Sequence, residues 1–97
     1  MRNQMVGTFK QAAALKKMGA NIKLARQVRG YSVSVLAYWA GVSRSMIYKI
    51  EAGNPAVSIG AVYAILLQLG LEKDFANIAF RKDLSTDMIG KNWRRRQ

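Results

Sequence analysis

Between Ala40 and Gly53 the sequence reads AGVSRSMIYKIEAG. At helical spacing Arg44, Ser45, Tyr48 and Lys49 fall on one side; Val42, Ile47 and Ile50 fall on the other, and Glu51 closes the run. The polar side is equipped for recognition. A guanidinium fork, two hydroxyls and an ammonium form hydrogen bonds without an activating base, and such groups suit base edges and phosphate oxygens. Catalysis is poorly served. The chain has no histidine, no cysteine and only five carboxylates, scattered along it, so neither a nucleophile–base set nor a metal site can be assembled. The expectation is a non-enzyme with no cofactor and no metal.

Charge points to the same class of partner. Sixteen Lys and Arg stand against five Asp and Glu, for a net +11 in 97 residues. Residues 1–30 hold Arg2, Lys10, Lys16, Lys17, Lys23, Arg26 and Arg29 with no acid, and residues 81–97 hold six bases against Asp83 and Asp87. Such a field attracts polyanions, nucleic acid first, with an acidic membrane or an acidic protein behind it. No apolar run reaches about 18 residues, and the opening MRNQMVGTFKQ lacks the apolar core of a signal peptide. A cytoplasmic protein is expected. The length suits one small domain, burying roughly 60–70% of its unfolded surface.

The elements that position the polar face are short helices. Thr8 can cap a helix whose apolar positions Phe9, Ala12, Leu15, Met18, Ile22 and Ala25 step by three or four. Either one helix spans residues 9–29, or Gly19 splits it. Gly30-Tyr31 stops it, and Ser32 caps a second helix that Gly41 ends. Ser43 caps a third over residues 44–52, terminated by Gly53, and GNPAV is a turn because Pro55 cannot continue a helix. Ser58 caps a fourth, with Val62, Ile65, Leu66 and Leu69 inward, and Gly70 ends it. A fifth, EKDFANIAF, shows Phe75, Ile78 and Ala79 at helical spacing. Beyond Phe80 no period is visible, and the segment reads as a mobile or partner-ordered tail.

This order of helices, with Ala37, Gly41, Val42, Ile47 and Ile50 in place, resembles the Xre family of helix-turn-helix proteins, the Cro/cI phage-repressor type. Ala37 is small where two helices cross closely, and Gly41 tolerates the left-handed backbone of the turn. Val42, Ile47 and Ile50 fill the wedge beneath. The fold class implied is all-α. A five-helix domain over residues 20–80 would follow an N-terminal helical extension, residues 1–19, and precede a basic tail, residues 81–97.

The resemblance also implies roles. The third helix would lie in the major groove of an inverted-repeat operator, with Arg44, Ser45, Tyr48 and Lys49 reading bases and a homodimer spanning two half-sites. Ser32 and Ser43, at helix N-termini, together with Asn54 and Lys23, would hold phosphates. Glu51, the only acid in the first seventy-one residues, would pair with Arg26 and tie the first helix to the third. Phe75, Ile78 and the fourth-helix face offer dimer surface, or else simply fill the monomer core. Where the family commonly has glutamine at the start of the second helix, this chain has Val33, which could meet a thymine methyl. Val35 and Trp39 occupy places that are usually polar. They suggest cover from the N-terminal extension, with a partner protein or plain exposure as the alternatives, and Trp93 is a further partner-binding candidate.

GNPAVSIG, LLQLGLEKDF and the short length are similar to the antitoxin branch of the family, the HipB-like proteins. These bind their own operator and a HipA-like kinase toxin. The expected function is an autoregulating repressor and antitoxin, nucleoid-associated when on DNA. The alternatives are a protein-interaction module that mainly neutralises a toxin, and a stand-alone phage-type repressor.

Overall fold

The computed structural model describes residues 4–90, with side chains from residue 7 onward. Helix α1 spans Gln4–Val28, α2 Val33–Ala40, α3 Arg44–Glu51, α4 Ile59–Gln68 and α5 Glu72–Ala76, and a 3-10 turn follows at Thr86–Met88. No strand occurs among the described residues. Three of the helices begin alike: the hydroxyls of Ser32, Ser43 and Ser58 accept from the N–H groups of Val35, Met46 and Ala61 at 3.0–3.1 Å. Each satisfies an orphan donor of the first turn, worth about 1 kcal/mol. Gly41 ends α2 at φ 70°, left-handed backbone that a side chain would strain, and its N–H turns back to the carbonyl of Tyr38.

One open alternative is resolved and several expectations change. The first helix is continuous: α1 runs 25 residues through Gly19. It is already helical at Gln4, so Thr8 lies inside it and does not cap it. The α1 stripe is buried only from Leu15 onward, and Phe9 stays 68% exposed because no neighbouring helix reaches that far. The fifth helix stops at Ala76. Asn77 caps it, Ala79 turns left-handed at φ 70°, and Ile78 and Phe80 are each 66% exposed. Leu71 is packed on the core and Phe75 meets Tyr63 edge-on at 5.1 Å, so a single turn already places the apolar groups that the fourth helix can cover. Residues 81–90 carry the 3-10 turn where the sequence showed no period.

The core is Ile22, Leu36, Ala37, Ile47, Ile50, Ala61, Val62, Ile65 and Leu69, drawn from the first four helices and the end of α4. Leu36, Ile47, Ile50 and Ile65 are fully buried, each worth about 1.5–3 kcal/mol of transfer free energy. Ala37 is 5% exposed where α2 meets its neighbours, and Val42 packs half-buried against this cluster.

Helix α1 crosses the end of α3 at backbone distance. A Cβ built on Gly19 would strike the Ile50 carbonyl oxygen and lie 2.5 Å from that of Glu51; one on Gly53 would lie 2.8 Å from the Lys16 Cα. The crossing is closed by the Arg26 guanidinium, which donates to both Glu51 carboxylate oxygens, at 2.7 Å from Nε and 3.1 Å from Nη2. Its Nη1 donates to the Tyr31 carbonyl at 2.9 Å, joining the α1–α2 turn to the same knot. Only 11% and 6% of the two side chains remain exposed. The hydrogen bond to Glu51 holds the Arg26 pKa above the ordinary arginine value, against the lowering that burial alone would cause. A raised pKa gives stability that persists below the unfolded value and is lost only at strongly alkaline pH. The Arg26 guanidinium is therefore charged throughout the neutral range.

Two sets of substitutions check this account by urea or thermal melts. Gly19→Ala is expected to destabilise by about 1–3 kcal/mol through backbone overlap, despite alanine's better helix propensity. Gly60→Ala, where nothing lies within 4 Å, gains up to about 1 kcal/mol; shifts of the same sign at both sites refute the close approach. Glu51→Ala strands a buried guanidinium and costs about 3–5 kcal/mol, whereas the paired change Arg26→Met with Glu51→Leu costs far less.

Candidate nucleic-acid interface

The side of α3 away from the core carries the candidate readers. Ile47 and Ile50 are 0% exposed on its inner side, while Arg44, Ser45, Tyr48 and Lys49 are exposed on the outer side, Tyr48 by 60%. Together with Ala52 and Asn54 these four line one shallow depression, so the structure brings five of the sequence-derived candidates to a single surface. Neither cationic tip is turned into the protein. Glu51 carries the only negative charge on α3 and is engaged by Arg26, so the depression keeps the full charge of Arg44 and Lys49.

The Arg44 Nη1 donates to the Ser34 Oγ at 3.4 Å, a long contact reaching across to α2. At the far end the Asn54 N–H donates to the Lys49 carbonyl at 2.9 Å, and its side-chain Oδ1 accepts from the Ala56 N–H at 2.7 Å. This turn fixes the residue that follows α3 and leaves the amide NH2 as its donor to an outside group. The oxygens of Ser32 and Ser43 accept capping bonds, so toward an outside oxygen each hydroxyl is a donor. Lys23 is exposed on α1 and does not line the depression.

The second helix departs from its sequence reading. Val33 is half-buried and packs against the core, so part of its side chain is spent on packing. Val35 and Trp39 remain 39% and 48% exposed, so the described part of the N-terminal helix does not cover them. The Trp39 ring is instead met edge-on by Tyr31, with centroids 4.9 Å apart and planes at 88°. Trp93 lies outside the described residues.

Sequence reasoning passed over Ser34 and Tyr38. Tyr38, one turn along α2 from Ser34, is 84% exposed. The four-residue spacing of the two, on a helix that must cross α3, was the available signal. Among the described residues no group of three or more His, Cys, Asp or Glu comes together as a metal site, and no helix is long and apolar enough to cross a membrane.

A family model described as a helix-turn-helix domain matches residues 17–74, more than half of the chain. No curated protein matches it. With the capped, glycine-turned α2–α3 pair and its exposed cationic face, that match makes the chain a member of the helix-turn-helix family of the Xre/Cro kind, a DNA-binding regulator.

Proposed function

We propose that the chain is a sequence-specific repressor that lays α3 in the major groove and reads bases with Arg44, Ser45, Tyr48 and Lys49. The single observation that carries this is the convergence of all four, with Asn54, on one exposed depression whose opposite side is fully buried core. Arg44 is the leading reader, since a guanidinium grips O6 and N7 of guanine together. Ser32, Ser43, Asn54 and Lys23 hold phosphates, the serines through hydroxyls and N–H groups at helix starts. The division of the chain into an extension (residues 1–19), a domain (20–80) and a basic tail (81–97) belongs to the same reading, as does a cytoplasmic, nucleoid-associated location.

A homodimer on an inverted repeat completes it, with half-sites about 34 Å apart. An apolar groove between α1, α4 and α5, with Phe75 and Ile78 in its lining, supports a dimer surface there. For biological role we favour an autoregulating antitoxin with a HipA-like kinase partner, supported by GNPAVSIG and LLQLGLEKDF. The exposed Val35 and Trp39 favour a second reading, a module whose main target is a protein toxin, with Trp93 as a further contact. A stand-alone phage-type repressor is the third, and neighbouring genes decide between it and the first.

Arg44→Ala is expected to relax base preference at one position per half-site, by about 1–3 kcal/mol. Lys23→Ala should weaken all sequences alike and reduce the slope of log K against log salt by about 0.9. Titrations of operator and scrambled duplexes at several salt concentrations read both. Selection from random DNA should return an inverted repeat; a pool with no preferred repeat defeats the specific-repressor reading. Retained toxin neutralisation by the Arg44 variant would show that operator and toxin use different surfaces.

A further inference from the structure

Helix α1 is apolar on two sides. The inner one holds Leu15, Met18, Ile22 and Ala25 against the rest of the domain. The outer one holds Phe9, Ala13, Ala20, Leu24 and Val28, spaced by four, seven, four and four residues and all exposed. Phe9, Leu24 and Val28 are 68%, 60% and 74% exposed. At 3.6 residues per turn the five fall within one stripe about 100° wide and about 28 Å long. Lys16 and Lys23 lie just outside one margin of it, and Lys10 and Lys17 lie along the other, level with Val28 around the helix axis, all of them exposed.

The charges select the occupant. A second copy of this face would set lysine against lysine, with no acid in the first fifty residues to relieve the repulsion. DNA phosphates would meet the lysines but leave Phe9, Leu24 and Val28 in water. An acidic bilayer calls for bulky groups along the whole stripe, whereas its middle is Ala13 and Ala20. Small residues between larger ones instead let a second helix approach to about 8–10 Å between axes. We propose that the outer face of α1 docks an acidic amphipathic helix of a partner protein. Its apolar seam packs between Phe9 and Leu24, and carboxylates on both flanks meet the four lysines. The inference depends on neither the operator reading nor the toxin reading.

The probe is a labelled three-heptad helical peptide with a leucine seam flanked by glutamates, and its control is a peptide of the same composition in scrambled order. The full chain should bind the peptide and not the scramble at moderate salt, by fluorescence anisotropy. Phe9→Ser with Leu24→Ser should weaken binding about tenfold or more, leaving the melting temperature and duplex-DNA affinity unchanged. Lys10→Glu with Lys17→Glu should weaken peptide binding at low salt and lose its effect at high salt. Equal binding of peptide and scramble overturns the proposal, as does peptide binding that the serine pair leaves intact. So does stripe-dependent binding to phosphatidylserine vesicles in place of the peptide, or a homodimer that the serine pair dissociates. A chain that binds the peptide but no duplex supports this inference while removing the operator reading, so the two failures are distinct.

Discussion

The Arg26–Glu51 pair holds the three elements on which DNA reading depends. Its carboxylate comes from the last turn of α3, its guanidinium from α1, and the guanidinium also reaches the Tyr31 carbonyl in the turn to α2. Burial would penalise either charge alone by several kcal/mol, so the two must stay together, and with them the angle at which α3 leaves the core. The glycine at position 19 makes that geometry reachable, because any larger residue would hold the α1 backbone away from the carbonyls of Ile50 and Glu51. Ion pair and close approach are two parts of one joint.

Charge is divided along the chain with unusual clarity. Glu51, the only acid of the first seventy-one residues, is buried with its partner, so the first four helices expose cations and no carboxylate of their own. That arrangement raises long-range attraction for polyanions; under the proposed reading, specificity rests with a few side chains on α3. It also separates two surfaces. The cations of α3 sit among hydroxyls and an amide, as suits base and phosphate edges, whereas the lysines of α1 flank exposed Phe9, Leu24 and Val28.

The helix order, the serine caps, the turn glycine and the inner residues of α3 were legible in the sequence because each follows from local chemistry. A hydroxyl before an apolar period signals a helix start, and isoleucines at positions 47 and 50 must point away from Arg44 and Lys49. The pairing of Arg26 with Glu51 was legible only through family resemblance, since twenty-five residues separate them. What was misread depends on where neighbouring helices end. The stripe through Phe9 continues beyond the other described helices, and the period at Ile78 and Ala79 outlasts the turn of helix that α4 supports. Val33, which stands where the family commonly has glutamine, packs half-buried against the core. Periodicity reports which side of a helix is apolar, but not how far along the helix a packing partner extends.

The long contact from Arg44 to Ser34 has a consequence for how binding starts. At 3.4 Å between exposed groups it is too weak to lock the side chain, but it gives the guanidinium a resting orientation across the mouth of the α2–α3 pair. An unrestrained arginine would surrender most of its rotamer freedom on meeting a base; one that already rests in a shallow well surrenders less. If α3 enters the groove as proposed, release from the serine would be an early step of engagement, and the Ser34 hydroxyl would stand beside the incoming strand.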